Sequence, residues 1–250
     1  MMNPKLRQEI LSHALVIVLL IAGLFWAFNR LEYTWNWYAV WDYRQKFWQG
    51  LVTTIWISAL SLVLSTTIGM AVALARQYGN VLVRALARIY VELVRGTPLL
   101  VQILVFFYVI ANVVGLENRY TAGVLSLSIF AGAYMSEIIR GGINAVGASQ
   151  LESAKAIGLT RLHTLRYVVL PQAARVALPP AAGQFVSLIK DSSLLSVIAI
   201  SELTLNAQEV NSFTYSTLES YIPLALLYLL LTLPLALVIR QLERSLRYET

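Results

Sequence analysis

Six stretches of this chain are almost free of charge, and each is about as long as a bilayer crossing. They lie roughly at 12–29, 50–75, 90–114, 121–139, 173–199 and 221–239. A helix needs about 20 apolar residues to cross the hydrocarbon core, and it satisfies its own backbone hydrogen bonds, which lipid cannot do. We therefore expect an all-α integral membrane protein with about six transmembrane helices.

The composition also limits the chemistry available to the chain. Hydrophobic residues make up 58% of it and charged residues only 13%, whereas soluble domains are about a quarter charged. There is no cysteine, and the two histidines, His13 and His163, lie far apart in sequence. This composition predicts neither a metal site nor a catalytic nucleophile–base pair.

The basic residues predict the orientation of the helices. Fourteen of the 19 lysines and arginines lie on one side of the expected topology, namely Lys5, Arg7, Arg76, Arg84, Arg88, Arg95, Arg140, Lys155, Arg161, Arg166, Arg175, Arg240, Arg244 and Arg247. The positive-inside rule places that side in the cytoplasm, so we expect both termini and the loop 140–172 there, in a multi-pass protein of the cell inner membrane. Because these loops explain the net charge of +6, nucleic acid is not an expected partner.

The first apolar run has two interpretations. Lys5 and Arg7 precede it, as basic residues precede the apolar part of a signal peptide, but the run is long for a signal and no clear small-residue cleavage site follows it. We expect a retained helix, with a cleaved signal as the alternative. All six tryptophans fall between Trp26 and Trp56, which suits an aromatic belt at the outer interface.

A polar, basic insert at 149–171 lies between the fourth and fifth apolar runs. Ser149 and Glu152 have the spacing of a capping box, which predicts a helix capped by Ser149. Gly158 predicts a left-handed stop, Thr160 a second N-cap, and Pro171 the end of the second helix. The insert therefore predicts two short helices joined by a glycine turn beneath the membrane.

This insert also resembles the EAA loop of ABC importer permeases. That motif reads Glu-Ala-Ala, three residues, Gly, nine residues, Ile-x-Leu-Pro. The matching residues here are Glu152-Ser153-Ala154, Gly158, Val168 and Leu170-Pro171, with Ser153 and Val168 as small departures. The segments 92–102, 133–143 and 190–194 resemble signatures of the polar amino acid permeases (the histidine, glutamine and arginine type). The chain is therefore similar to that family over most of 47–240.

The resemblance implies a domain organisation and a coupling site. The family's core has five helices, so 47–240 would form the permease domain. Residues 1–46 would add an N-terminal transmembrane helix and an outer interfacial segment, and 241–250 would form a cytoplasmic tail. A cytoplasmic coupling helix would dock on an ATPase subunit through Glu152, Ser153, Ala154, Ala156 and Gly158.

The resemblance also implies the partners and the mechanism. Two permease subunits, identical or paralogous, would form the pathway within the membrane lipid. Two ABC ATPase subunits, which bind ATP and magnesium, would drive alternating access, and an extracytoplasmic amino-acid-binding protein would deliver a polar amino acid. A Walker A loop requires a lysine after glycine, and none of the four lysines here follows one. We therefore expect a transport subunit without enzymatic activity or a cofactor of its own.

Polar residues within the apolar runs are the remaining candidates. Thr97-Pro98 should break a helix and expose backbone groups to a cavity, and the candidates for a substrate pathway are Thr97, Pro98, Gln102, Gln184 and Phe185. The alternative is ordinary packing between helices. A charge inside the membrane costs about 2.5–3.5 kcal/mol, so the candidates for a gate or a subunit contact are Glu137, Lys190 and Asp191. The alternative is local pairing, for example between Glu137 and Arg140 at spacing i, i+3.

The sequence leaves the amino acid unidentified, and it does not decide whether the membrane region has a substrate site of its own. Two other functions stay open. One is the same machinery serving another small polar solute. The other, from a different class, is an ion-coupled secondary carrier that uses Glu137 and Asp191.

Overall fold

The computed structural model describes the backbone of residues 4–30 and 33–246, and the side chains of 11–12, 14–23, 25–30 and 33–241. The side chains of Lys5, Arg7 and Arg244, on which part of the predicted orientation rests, lie outside the described residues. So does the end of the predicted cytoplasmic tail, 247–250. Among the described residues there is no strand, which confirms the all-helical fold class.

The chain divides into two compact units, Met1–Trp37 and Tyr38–Thr250. The first unit contains α1 (Pro4–Asn29), whose apolar part is Ala14–Asn29. Aromatic residues follow this helix, and the rings of Trp35 and Trp37 stack with their centroids 5.8 Å apart.

The second unit consists of helices joined by short turns. They are α2 (Trp37–Asp42), α3 (Arg44–Tyr78), α4 (Val81–Gly96), α5 (Leu99–Val105) with a π-helical extension to Ala111, α6 (Arg119–Asn144), α7 (Ala148–Ala156), α8 (Arg161–Thr164) with a π-helical turn to Val169, α9 (Leu170–Asp191) with a 3-10 turn to Ile198, α10 (Leu203–Thr214) and α11 (Thr217–Leu246).

Three helices of the described chain are long and apolar enough to cross a membrane: Arg44–Tyr78, Arg119–Asn144 and Thr217–Gln241. They correspond to the predicted spans 50–75, 121–139 and 221–239. The predicted span 90–114 is broken, because Val81–Gly96 and Leu99–Ala111 meet at an angle of 112°; counted as one span, they make a fourth. The predicted spans 12–29 and 173–199 are helical but shorter or less apolar.

Small residues allow the long helices α3 and α6 to pack closely. A Cβ atom on Gly69 would lie 2.5 Å from the Cβ of Met135, and one on Gly132 would lie 2.7 Å from Ile68. Such contacts are typical of membrane helices, in which small residues let the backbones approach. By contrast, the apolar window of α11 has no fully buried residue within the chain. Leu224, Leu227 and Leu231 pack partly against α3 and α10, whereas Leu226, Leu229, Leu230 and Leu233 on the other face are exposed.

Two apolar clusters position the two ends of this unit. Near the start of α3, the cluster contains Val40, Phe47, Leu51, Leu203, Ala207 and Val210. Near its end, a second cluster contains Ile143, Val146, Val169 and Ala173. The second cluster lies beneath α7, and it therefore anchors the polar insert to the helices α6 and α9.

Candidate functional site

The helix of the insert, α7, begins earlier than the capping box predicts. It covers Ala148–Ala156, and its N-cap is Gly147, whose extended backbone precedes the helix without any side-chain cap. The prediction that Ser149 caps the helix is therefore wrong, because the helix starts one residue before it and Ser149 lies in its first turn. The carboxylate of Glu152 is left exposed to solvent.

The end of α7 follows the sequence prediction. Gly158 has φ +79°, the left-handed region in which glycine is favoured. The amide of Leu159 donates to the carbonyl of Ala154 at 3.0 Å, and the amide of Gly158 donates to that of Lys155 at 3.0 Å. Backward bonds of this kind satisfy carbonyl groups at a helix end, so Gly158 ends the helix and turns the chain.

The second helix of the insert starts as predicted but does not end as predicted. The hydroxyl of Thr160 accepts from the amide of His163 at 3.3 Å, which confirms Thr160 as the N-cap. The helix then passes through Pro171 into α9, so the prediction that Pro171 ends it is wrong. Just before Pro171 the helix widens into a π-turn, and Leu170 donates to Leu165 five residues back. This wider turn lets a residue without an amide proton join the helix.

One face of α7 contacts its own chain and the other faces solvent. Ala154 is only 3% exposed, so it packs inward rather than presenting itself to a partner. This differs from the expectation that Ala154 lies on a docking face. Glu152, Ser153 and Ala156 are exposed, as is Gly158 after the helix. Beside α7 lies a depression of about 620 Å³, lined by Gln77, Tyr78, Asn144, Lys155, Arg161 and Thr164 among others.

Glu137 on α6 is the centre of a charged cluster that joins three helices. Its carboxylate accepts from Arg140 at 2.6 Å and from Arg76 on α3, and Arg95 on α4 lies 3.9 Å away. The predicted local pair with Arg140 is therefore confirmed. The sequence did not reveal Arg76 and Arg95, because they lie far from Glu137 along the chain. Within this subunit Glu137 holds helices together.

The break at Thr97-Pro98 is confirmed, and Gln102 stabilises it. The side-chain amide of Gln102 donates to the carbonyl of Val94 at 2.7 Å, to the carbonyl of Thr97 at 3.0 Å and to its hydroxyl at 2.8 Å. These oxygens lie at the end of α4, where the helix leaves carbonyl groups without partners. Gln102 thus uses its donors inside the chain, and its side-chain oxygen is left for other contacts.

The remaining predicted site residues lie on α9. Gln184 and Phe185 are half-buried, Asp191 is half-buried and Lys190 is exposed. In the described part of the chain neither Lys190 nor Asp191 forms a hydrogen bond or a direct ion pair. Among the described residues, no hydrogen bond or ring contact joins Gln184 or Phe185 to the break at Thr97-Pro98.

A buried carboxylate that sequence reasoning missed lies at the start of α10. Glu202 accepts from the amides of Thr204 and Leu205, both at 2.8 Å, and from the hydroxyl of Tyr228 at 3.0 Å. Burial raises the pKa of Glu202 to about 7, although these hydrogen bonds oppose the shift. Glutamate is not among the residues usually found at an N-cap, so no strong signal in the sequence pointed to this role of Glu202.

A second ion pair missed from the sequence lies near the same end of the molecule. Lys46 on α3 donates to the carboxylate of Glu209 on α10. This pair links two elements 163 residues apart in sequence. Among the described residues, no group of three or more histidine, aspartate or glutamate side chains could hold a metal ion.

Long apolar helices, one of them broken at a proline, and a small helix anchored at one end of the bundle define a polytopic membrane protein. The chain belongs to the family described as the binding-protein-dependent transport system inner membrane component, which matches residues 65–248. This confirms the resemblance to ABC importer permeases, and the chain is a permease of that family.

Relatives of the chain are amino acid permeases. It is 35% identical over 214 residues to the glutamine transport system permease protein GlnP of Escherichia coli (strain K12), covering 85% of this chain and 98% of that one. It is 38% identical over 212 residues to the L-cystine transport system permease protein TcyB of Bacillus subtilis (strain 168), covering 82% and 91%.

Solved structures show the same fold. One described as an amino acid ABC transporter with histidines has a TM-score of 0.79 and 34% identity, covering 85% of this chain and all of that chain. The MetNI methionine ABC transporter in an inward-facing conformation has a TM-score of 0.64 at 16% identity, covering 84% and 98%. The second similarity supports the fold alone.

Proposed function

We propose that this chain is the membrane-spanning subunit of an ATP-driven importer that translocates polar amino acids by alternating access. The relatives named for glutamine and L-cystine support this substrate class. The observation that carries the mechanism is the arrangement of α7, which is fixed to α6 and α9 on one face and exposed on the other. A helix held in this way can transmit a push from a partner to two membrane helices at once.

The partner at α7 is a separate ATPase subunit that binds ATP and magnesium, present in two copies. Glu152, Ser153, Ala156 and the turn at Gly158 form the docking face of the coupling helix. Ala154 acts from the other side, since its burial fixes α7 to the chain. This division refines the expected docking set, in which Ala154 was counted as a contact residue.

The proposed topology has six membrane crossings with both termini in the cytoplasm of the cell. Residues 1–46 add a helix and an outer interfacial segment, 47–240 form the transport domain, and 241–250 form the tail. A second permease subunit, identical or paralogous, completes the pathway, and an extracytoplasmic binding protein delivers the amino acid. The apolar and unburied surface of α11 supports an environment of lipid or of a second subunit.

The substrate pathway is proposed to run past the break at Thr97-Pro98 and past Gln184 and Phe185 on α9. Gln102 contributes chiefly by holding the break, because its amide protons are used within the chain. Lys190 and Asp191 are proposed to contact a second subunit or a gate, which fits their lack of direct partners in the described chain. Glu137 is proposed to hold helices together in a fixed arrangement rather than to act as a gate.

The experiment compares Glu152→Lys with Gln150→Lys in the complete transporter reconstituted in liposomes. Both residues are exposed on α7, but they lie about 160° apart around the helix axis. A hot spot at an interface contributes at least about 2 kcal/mol, so Glu152→Lys should weaken retention of the ATPase about 30-fold and abolish ATP-driven uptake. Gln150→Lys should preserve both.

Uptake and ATPase retention that stay at the wild-type level in Glu152→Lys would refute the coupling role. Competition by a panel of amino acids separates the proposed substrate class from another small polar solute. Uptake that persists without the ATPase and collapses with an ion gradient would instead support a secondary carrier.

A further inference from the structure

The helix α4 (Val81–Gly96) divides its surface into three sectors. Leu82, Leu86, Ile89 and Leu93 are large, apolar and exposed. Ala87 and Val91 are buried, and the hydroxyl of Tyr90 donates to the carbonyl of Ile129 on α6 at 2.5 Å. The third sector is basic and contains Arg84, Arg88 and Arg95. At about 100° per residue, the centres of the exposed apolar and basic sectors lie about 150° apart.

The break at Thr97-Pro98 gives α4 a direction different from that of the helix after it. The bend of 112° between α4 and the helix after it places α4 within about 20° of a plane perpendicular to that helix. A helix that lies in the plane of a membrane surface has an apolar face toward the acyl chains and a basic face toward the headgroups. The sectors of α4 fit that arrangement.

The depth of α4 agrees with a position at the interface. Arg95 lies 3.9 Å from Glu137 and over the ring of Tyr134 at 5.3 Å, so the end of α4 is level with this part of α6. Glu137 is about 27 Å along α6 from Arg119 at its start. The hydrocarbon core is about 30 Å thick, so Arg119 at one interface puts Glu137 close to the other.

The basic sector carries positive charge that is available to bind an anion. Within the described chain Arg88 is exposed and forms no hydrogen bond or ion pair. Arg84 is held in position, because its Nε and Nη2 both donate to the carbonyl of Gly79 at 3.2 and 3.1 Å. The two arginines line a depression of about 230 Å³ with Val81 and Ala85.

We propose that α4 lies in the inner-leaflet interface and that Arg84 and Arg88 bind the phosphate of an anionic phospholipid. The exposed leucines and Ile89 contact its acyl chains, which supplies the apolar half of the site. This proposal depends on the cytoplasmic orientation of α4 but not on the transported substrate.

The lipid test uses the complete transporter in phosphatidylcholine nanodiscs with and without phosphatidylglycerol, and measures retained phosphatidylglycerol by native mass spectrometry. An arginine near an anionic surface contributes an amount equal to about fivefold in binding, so Arg88→Gln should lower retention about fivefold. Glu92→Gln removes a negative charge from the rim of the basic face and should raise it. Arg240→Gln, an exposed arginine on α11, should change it little.

Equal losses in Arg88→Gln and Arg240→Gln would show a general effect of charge and overturn the proposal, as would no loss in Arg88→Gln. Displacement of the lipid by inorganic phosphate at an unchanged ionic strength would identify a free-phosphate site and would also overturn it. The opposite shift in Glu92→Gln distinguishes an electrostatic contribution from damage to folding, because a damaged protein would lose lipid in both variants.

The position of α4 is tested separately with spin labels, since the chain has no cysteine to interfere. Labels at Leu82→Cys and Leu93→Cys should report depths that differ by less than about 6 Å and should collide with oxygen in the assembled transporter. A depth difference near 16 Å would show an upright helix. Loss of oxygen access on assembly would show a protein partner in place of lipid. Either result would overturn the proposal.

Discussion

Replacing Glu137 with glutamine removes the carboxylate that three arginines share. The hydrogen bonds from Arg140 and Arg76 are charge-assisted, and each such bond contributes about 1.5–3 kcal/mol. The more distant pair with Arg95, whose side chain is 45% exposed, contributes about 0–1 kcal/mol. Because the side chain of Glu137 itself is 20% exposed, we take the lower part of the range. Glu137→Gln should lower the free energy of unfolding by about 3 kcal/mol.

The assay is the thermal unfolding midpoint in detergent, followed by tryptophan fluorescence. For a chain of this size about 1 kcal/mol corresponds to 2–4 °C, so the midpoint should fall by about 6–12 °C. Glu117→Gln is the matched control, since Glu117 is exposed and has no partner in the described chain. Its midpoint should change by less than about 2 °C.

The double variant Glu137→Gln, Arg76→Gln tests the reasoning behind this magnitude. Once the carboxylate is absent, Arg76 has lost its partner, so removing its charge should cost little more and should relieve repulsion among the arginines. The interaction energy from the four variants of this cycle should reach about 1.5–3 kcal/mol. Additive losses, or a loss in Glu137→Gln below about 1 kcal/mol, would show that the cluster does not join the helices as argued.

Three further changes test other parts of the structure. Gly158→Val should destabilise by about 1–2 kcal/mol because φ is +79° there, whereas Gly147→Ala at φ −61° should be nearly neutral in the same thermal assay. Gly69→Ala should destabilise by about 1–3 kcal/mol, since its Cβ would lie 2.5 Å from a methionine on α6; Gly141→Ala has open space and should not. The pKa of Glu202 is raised from 4.5 to about 7, so the folded state binds the proton more tightly and stability should fall as pH rises across that window. Glu202→Gln should remove this slope, and a slope unchanged in that variant would contradict the assignment.

Local chemistry made part of the candidate site predictable. Three local signals each restrict a few dihedral angles directly: a glycine after a short helix-forming run, a threonine three residues before an unpaired amide, and a proline in an apolar run. The structure has these features at Gly158, Thr160 and Pro98. The same local rules failed at Ser149, because the N-cap is Gly147, two residues earlier in the sequence.

Long-range contacts could not be predicted in this way. The pairing of Glu137 with Arg76 depends on the register in which α3 packs against α6. That register is set by small residues such as Gly69 and Gly132. One sequence shows which residues are small and which are charged. It does not show which turn of one helix faces which turn of the other, because every register would bury some small residues.

The broken helix shows which structural features follow from neighbouring residues and which depend on tertiary contacts. Pro98 determines that a break occurs, and Gln102 is close enough in sequence to cap the carbonyl groups that the break leaves. These two residues do not determine the angle of 112° between the two helices. We attribute it mainly to the hydrogen bond of Tyr90 to α6 and to the burial of Ala87 and Val91, which hold α4 against the bundle; the distant pair of Arg95 with Glu137 adds little. A variant that loses those contacts should therefore keep the break and lose the angle, which would return the basic face of α4 from the interface toward an upright position.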